Sequence, residues 1–248
     1  SIEHFAHLGA RFMLMSATMP KHLLDLLKRA LPGARVIRDT SLLASSRNTL
    51  EVVDDEIEGM CDRIEEAVYA GRKTLVVVNS VGKCQDLAKM FSDLNPICYH
   101  SRFTLRDRME KEKTIDAMER ADKRGVLLIA TQVVEVSLDI NFDLLFTECA
   151  PPDAVVQRAG RVNRRRKKPD STVTICRASE VSRKIYEPDG TDLLARTFAA
   201  FGAGPTRPTE ADLTAIVEQV YAGVRIEEDP RFLEASRAYS QSQRRLLG

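Results

Sequence analysis

The chain of 248 residues has few features that point to a membrane, because its apolar runs are short. The longest of them, 75–78 and 126–130, fall far below the roughly 20 residues needed to span a bilayer. No basic segment followed by an apolar one marks a signal peptide. These absences predict a cytoplasmic protein without a membrane partner. Charge is also balanced, with 37 Lys and Arg against 36 Asp and Glu, so any signal for a polyanionic ligand has to come from local clusters.

Cysteine and histidine are too few and too scattered to predict a metal site. The five cysteines are odd in number, widely spaced and mostly set in apolar stretches. This pattern favours reduced core thiols over a disulfide framework. Among the four histidines, His4 and His7 could share one helical face, but they lack further ligands at zinc spacing. We expect no metal ion to be held by this chain.

Apolar runs alternate with amphipathic stretches between residues 50 and 176, which predicts strand-helix units on a parallel sheet. Strands are expected at 11–15, 50–54, 74–79, 97–100, 126–130, 144–147 and 172–176. Helical periodicity is found at 21–30, 58–70, 82–92, 105–120 and 153–159. The predicted fold class is therefore α/β, a parallel sheet with helices on both faces.

The chain changes character after residue 176, where helical patterns at 191–201 and 209–221 flank a loop rich in Gly and Pro. We interpret 181–248 as a linker and the start of a small helical accessory domain. Residues 1–40 hold too little structure to fold alone, so we interpret them as the last edge of a preceding domain and expect the sequence to begin inside that domain. The remaining segment, 41–180, is predicted to form the main domain.

Two clusters of polar residues follow early strands, and ligands of open α/β sheets bind beyond the carboxyl ends of strands. The first cluster, Ser16-Ala17-Thr18, offers two hydroxyls, although a strand followed by a helix N-cap is the favoured interpretation of these three residues alone. The second combines Asn79 with a block that contains His100, Arg102 and Arg106. Guanidinium groups at a helix N-terminus form a phosphate cradle. A capped amphipathic helix with exposed arginines is the competing interpretation.

The third cluster places Thr131 and Gln132 after a strand, followed by two acids, Glu135 and Asp139, among Val, Leu and Ile. Acids are rarely buried without a partner, so these two indicate a specific polar role.

The fourth cluster contains Arg161 and Arg164, which are three residues apart and would share one face of a helix. A positioned guanidinium lowers the barrier to γ-phosphate transfer by a factor of about a thousand or more. Gly160 permits close approach of the backbone. A solvated basic helix is the alternative, since seven of the eleven residues in 158–168 are basic.

In order and spacing, the four clusters resemble motifs of superfamily 2 helicases. The strings His-Ser-Arg-Phe at 100–103, Thr-Gln-Val-Val-Glu-Val-Ser-Leu-Asp at 131–139 and Gln-Arg-Ala-Gly-Arg-Val-Asn-Arg at 157–164 resemble the CRISPR-associated helicase-nuclease of type I interference systems. The resemblance covers roughly residues 10–222. It implies a RecA-like sheet that forms the C-terminal lobe of an ATP-dependent motor.

The resemblance assigns a role to each residue of the clusters. It implies catalytic roles for Arg161, Arg164 and Gln157. Residues implied to contact ATP are Asp139, Glu135, Arg158 and Gly160. Residues implied to contact nucleic acid are Asn79, His100, Arg102, Arg106, Thr131 and Gln132. Ser16, Ala17 and Thr18 are implied to couple ATP hydrolysis to movement along the strand.

Two motifs that such a motor needs are missing from the sequence. It contains no Gly-x-x-x-x-Gly-Lys-[Ser/Thr] phosphate loop and no Asp-Glu-x-[His/Asp] box. We therefore expect ATP with Mg²⁺ to be held mainly by an N-terminal lobe of the same protein, and this chain alone to be inactive. Expected partners are single-stranded DNA, an RNA-guided surveillance complex, and the N-terminal lobe and nuclease domain. Alternatives are a general superfamily 2 repair or RNA helicase, or a non-catalytic nucleic-acid-binding module.

Overall fold

The structure is a computed structural model of the chain. It describes residues 2–16, 19–38, 40–120, 123–136, 138–167, 170–187, 190–224 and 230–247. The chain divides into two compact units: one comprises Arg38–Val220, and the other comprises Ser1–Ile37 with Tyr221–Gly248. The second unit is helical, with α1 (Ile2–His7), α2 (Lys21–Ala30) and α10 (Pro230–Leu247).

The larger unit is built on a six-stranded sheet in which all neighbours are parallel. Its strands are β1 (Thr49–Val53), β2 (Lys73–Val77), β3 (Ile97–Tyr99), β4 (Val126–Ala130), β5 (Leu144–Glu148) and β6 (Thr172–Cys176). The order across the sheet is β1-β6-β5-β2-β4-β3. All carboxyl ends therefore lie along one edge, where ligands of such sheets bind.

Helices connect these strands and cover the sheet. They are α3 (Cys61–Tyr69), α4 (Val81–Met90), α5 (Leu105–Arg120), α6 (Pro152–Ala159), α7 (Glu180–Tyr186), α8 (Leu193–Ala203) and α9 (Glu210–Val220). Short 3₁₀ turns occupy Ile57–Met60, Ser92–Leu94 and Gln132–Glu135. The six strands predicted between residues 50 and 176 are confirmed, with bounds that shift by one or two residues at some ends.

Two hydrophobic cores lie on opposite faces of the sheet because successive strand residues point to opposite sides. Leu75 and Val77 of β2 belong to the core that contains Ile115 of α5 and residues of α6, α8 and α9. Val76 of β2 belongs to the other core, which contains Ile64 of α3 and residues of α4. The prediction of helices on both faces is confirmed.

One predicted strand is wrong. Residues 11–15 form no regular element, and Met13 and Met15 have 81% and 82% of their surface exposed. A strand needs a neighbour to pair with its backbone, and the six described strands pair among themselves. An apolar sequence pattern reports side chains alone and cannot show whether that neighbour is present.

Three of the helices after β6, which are α7, α8 and α9, belong to the larger unit. In the larger unit, α8 packs against α9 and β1, and α9 packs against α6. The segment 181–248, interpreted above as a linker and the start of an accessory domain, is divided between the two units at Val220. Within the described ranges, no helix combines the length and the apolarity needed to cross a bilayer.

Candidate functional site

Three predicted binding residues lie side by side at the carboxyl edge of the sheet. Asn79, Thr131 and His100 follow β2, β4 and β3, which are adjacent strands. The main-chain N–H of Thr131 donates to the carbonyl of Tyr99 at 3.2 Å, and Nε2 of Gln132 donates to the carbonyl of Asn79 at 2.9 Å. The end of β4 is thereby joined to the ends of both neighbouring strands.

Arg158 of α6 lies behind this edge and is fully buried. Its Nε donates to Oε1 of Glu135 at 2.8 Å, and its Nη2 donates to Oδ1 of Asn79 at 2.9 Å. Its Nη1 donates to Oγ1 of Thr147 and to the carbonyl of Glu148, at 2.9 and 3.1 Å. A charge out of water needs such a set of partners. Arg158 therefore connects the ends of β2 and β5 with the turn that follows β4.

Glu148, the last residue of β5, is a second buried charge in the same region. Its carboxylate accepts hydrogen bonds from the main-chain N–H of Asn79 at 2.7 Å, Oγ of Ser182 at 3.1 Å and Nζ of Lys83 at 3.0 Å. Although burial acts in the opposite direction, hydrogen bonds and charge from Glu58 and Glu148 raise the pKa of Lys83.

Sequence reasoning missed Glu148 together with Lys83 and Ser182. The signal that singled out Glu135 and Asp139, an acid among apolar residues, is also present at Glu148. The partners Lys83 and Ser182 lie 65 and 34 residues away along the chain, which no local pattern indicates.

Arg161 and Arg164 lie next to the turn after β4. The half-buried guanidinium of Arg161 donates through Nη2 and Nη1 to the main-chain carbonyls of Glu135 and Leu138. Nε of Arg164 lies 3.0 Å from Oδ1 of Asp139, and these side chains have 44% and 83% of their surface exposed. Burial, followed by the nearby charge of Arg164, lowers the pKa of Arg161.

This arrangement suits an anionic ligand. Two guanidinium groups share one neighbourhood with a single exposed carboxylate, that of Asp139. Nε of Arg161 is buried and has no hydrogen-bond partner in the part of the chain that the structure describes. The residues present therefore fit the terminal phosphates of a nucleotide. The described residues include no group of three or more His, Cys, Asp or Glu that could hold a metal ion.

The expected helical placement of the two arginines is wrong, because α6 ends at Ala159. The turn that follows α6 is hydrogen-bonded to Phe142, whose N–H donates to the carbonyl of Arg161 at 3.0 Å. Asn163 donates back to the carbonyl of Phe142 at 3.0 Å and has a left-handed φ of 46°. A turn, and not a helix face, brings Arg164 close to Arg161.

The turn is fixed from outside by contacts to the segment before β1 and to α9. Nδ2 of Asn163 donates to the carbonyl of Arg47 at 2.9 Å. Glu210, the first residue of α9, accepts hydrogen bonds from Arg47 at 3.0 Å and from Arg166 at 2.6 Å. A Cβ on Gly160 would lie 3.1 Å from the main-chain oxygen of Gln157, closer than an ordinary contact, so glycine favours this tight turn after α6.

The other predicted residues occupy more open positions. Arg102 and Arg106 are exposed around the start of α5, where Oγ1 of Thr104 accepts the N–H of Asp107 at 3.2 Å and caps the helix. The buried ring of His100 stacks on Phe103 with centroids 4.1 Å apart, and burial lowers its pKa.

The remaining predicted residues divide between the two units. Gln157 is half-buried on α6. Ser16 is exposed in the smaller unit, whereas Ala17 and Thr18 lie outside the described residues.

Comparison with known proteins agrees with this fold and these motifs. The family model described as "CRISPR-associated nuclease/helicase Cas3, C-terminal" matches residues 70–167, which include β2 to β5 and the turn that carries Arg161 and Arg164. Residues 70–167 are therefore similar to the C-terminal part of that nuclease/helicase family.

Curated Cas3 proteins are similar to parts of the chain. The chain is 39% identical over 117 residues to the CRISPR-associated endonuclease/helicase Cas3 of Escherichia coli, covering 44% of this chain and 13% of that protein. It is 28% identical over 180 residues to the nuclease/helicase Cas3 of Methanothermobacter thermautotrophicus, covering 67% and 21%. The chain therefore spans less than a quarter of the length of either relative.

Solved structures share the fold at lower identity. A CRISPR-associated protein aligns with a TM-score of 0.73 and 22% identity, covering 99% of this chain and 33% of the other. The Cas3–AMPPNP structure of T. fusca aligns with a TM-score of 0.59 and 22% identity, covering 87% and 28%. A chain of a CRISPR RNA-guided surveillance complex, pre-nicking, has a TM-score of 0.55 and 22% identity, covering 82% and 28%. The predicted RecA-like fold is thus confirmed.

Proposed function

We propose that the Cas3-like domain of this chain is the second motor lobe of an ATP-dependent DNA helicase that acts in CRISPR interference. The proposal depends mainly on one observation: Arg161 and Arg164 lie together against the turn after β4, with Arg161 held by main-chain carbonyls of that turn. Two guanidinium groups so placed can stabilise the charge that develops on a transferring phosphate.

Arg161 and Arg164 are the residues proposed to contact the nucleotide. ATP supplies the phosphoanhydride bond, and its Mg²⁺ is proposed to be held by residues of an N-terminal lobe. Arg161 and Arg164 would reach the terminal phosphate across the cleft between the lobes, with Gln157 and Gly160 completing their surroundings. Asp139 pairs with Arg164 at 3.0 Å and would orient it until the phosphate replaces the carboxylate as partner.

The carboxyl edge of the sheet is the proposed binding surface for single-stranded DNA. Thr131, His100, Arg102 and Arg106 lie at or beside the ends of β3 and β4, and the two arginines are exposed. Contacts of this kind to phosphates carry no sequence information. An RNA-guided surveillance complex is the proposed partner that selects the target.

Arg158 connects the proposed nucleotide site with the proposed DNA-binding edge. Arg158 bonds both to Asn79, at the sheet edge, and to Glu135, whose carbonyl accepts from Arg161. A change at the phosphate would therefore be transmitted to the DNA-binding edge through the buried guanidinium of Arg158. In this arrangement Arg158 and Glu135 support the residues that contact the nucleotide. Burial raises the pKa of Glu135 although the charge of Arg158 opposes the shift.

Substitution of the arginines tests the proposal in a longer protein that joins this chain to an N-terminal lobe. We expect Arg161→Ala and Arg164→Ala to lower the kcat of DNA-stimulated ATP hydrolysis about a thousandfold. The Kd for an oligonucleotide should stay within about twofold, because neither arginine is assigned to the sheet edge. The matched control is Arg120→Ala, an exposed arginine at the end of α5. Normal turnover in both variants would remove the arginines from this role.

A further inference from the structure

A tyrosine outside the helicase motifs touches two of them. Tyr186 is the last residue of α7. Its Oη accepts a hydrogen bond from Nε2 of Gln132 at 2.9 Å and lies 3.5 Å from Nη2 of Arg158. Burial raises the pKa of the Tyr186 hydroxyl, so the group is a neutral phenol at physiological pH.

The two contacts of Tyr186 are unequal. Arg158 has four shorter hydrogen bonds, to Glu135, Thr147, Asn79 and the carbonyl of Glu148, all between 2.8 and 3.1 Å. Loss of a 3.5 Å contact leaves that set intact, since hydrogen bonds weaken beyond about 3.2 Å. Among the residues that the structure describes, the side-chain amide of Gln132 makes two hydrogen bonds, to Oη of Tyr186 and to the carbonyl of Asn79, both at 2.9 Å.

These two contacts fix which way the Gln132 amide faces. A main-chain carbonyl only accepts, so the group opposite Asn79 has to be the nitrogen. The hydroxyl of Tyr186 accepts the second N–H of the same nitrogen. Both amide protons are therefore used inside the protein, and Oε1 is the remaining polar atom of the side chain.

We propose that Tyr186 is a positioning residue that presents Oε1 of Gln132 to the nucleic acid. The inference rests on the proposed function and specifies the contact. A phosphate oxygen also only accepts, so it cannot bond directly to Oε1. The N–H groups of a base can donate to it. Gln132 is thus expected to contact a base of the bound strand, while the arginines nearby contact phosphates.

Tyr186→Phe tests the inference in the longer protein, because it removes the hydroxyl and keeps the ring. We expect the oligonucleotide concentration at half-maximal ATPase stimulation to rise about two- to tenfold, the effect of one hydrogen bond. The kcat at saturating DNA should not change, since Arg158 keeps its other bonds. Tyr69→Phe, on a side chain with 74% of its surface exposed, is the matched control.

Two further comparisons separate positioning from a general structural effect. Adding Tyr186→Phe to Gln132→Ala should have no additional effect, because the hydroxyl acts through Gln132. The loss in Tyr186→Phe should also disappear with an oligonucleotide that lacks bases. Additive effects of the two substitutions, or an equal loss with the abasic strand, would overturn the inference.

One measurement on the chain itself needs no activity. In selectively ¹⁵N-Gln-labelled protein, the side-chain amide protons of Gln132 should exchange at least tenfold faster with water in Tyr186→Phe than in wild type. Equal exchange would refute the positioning role of Tyr186 whatever the protein does. Absence of DNA-stimulated hydrolysis in the unsubstituted longer protein, by contrast, would refute the proposed function alone.

Discussion

At the scale of single residues, Arg158 contributes most clearly to both structure and proposed function. It is fully buried and bonded to Glu135, Thr147 and Asn79. Removing one partner of a buried ion pair leaves an uncompensated charge, which costs about 3–5 kcal/mol. We expect Arg158→Ala to lower the free energy of unfolding of this chain by that amount in urea denaturation.

Two variants define what the buried guanidinium supplies. Arg158→Lys keeps the charge, but its three donors share one nitrogen and cannot reach the four acceptors that the planar guanidinium serves, so it should restore less than half of the lost stability. The exposed Arg120→Ala should change the free energy of unfolding by less than about 0.5 kcal/mol. A loss below 1 kcal/mol in Arg158→Ala would mean that the residues around Glu135 rearrange to bring its carboxylate into water.

At the scale of secondary-structure elements, the sequence predicted what local patterns determine. The apolar runs of β2, β4 and β6 and the period of α5 are local, and the structure confirms them. The strand at 11–15 was wrong because pairing depends on a neighbour far along the chain. The same limit applies to the site: Glu148 and Tyr186 contact motif residues 54 to 69 positions away, which no spacing rule anticipates.

The turn after α6 shows how a distant element fixes a functional loop. Glu210 at the start of α9 bonds to both Arg47 and Arg166, and Arg166 has a left-handed φ of 53°. We expect Glu210→Ala to speed hydrogen exchange at the amides of 161–166 by about tenfold. Loss of the two ion pairs should lower the free energy needed to open the turn locally by about 1 kcal/mol or slightly more. Exchange in β2 and β4 should not change.

Glu218→Ala is the matched control for this experiment, since Glu218 is exposed on the same helix. It should leave exchange in the turn as in wild type. If both substitutions sped exchange equally, α9 would act through its overall stability and not through the ion pairs of Glu210.

At the scale of the whole molecule, we expect Arg161 and Arg164 to supply one part of a nucleotide site and an N-terminal lobe to supply the rest. The sequence has no phosphate loop, and the described residues include no acidic group set that could hold Mg²⁺. Charge stabilisation by arginine accelerates phosphoryl transfer only when the nucleotide and metal are already positioned. We therefore expect the purified chain to unfold cooperatively yet show no DNA-stimulated ATP hydrolysis above a no-protein blank.

The longer protein with an N-terminal lobe is the positive control for that assay, and Arg161→Ala in the isolated chain is the negative one. Turnover by the isolated chain that persists in Arg161→Ala would come from a contaminant, since the arginine is proposed to act on the transferring phosphate. If the isolated chain hydrolysed ATP and Arg161→Ala abolished that activity, the activity would belong to the chain and not to a contaminant. It would show that this chain binds and hydrolyses ATP by itself, so the division of one nucleotide site between two lobes would be refuted.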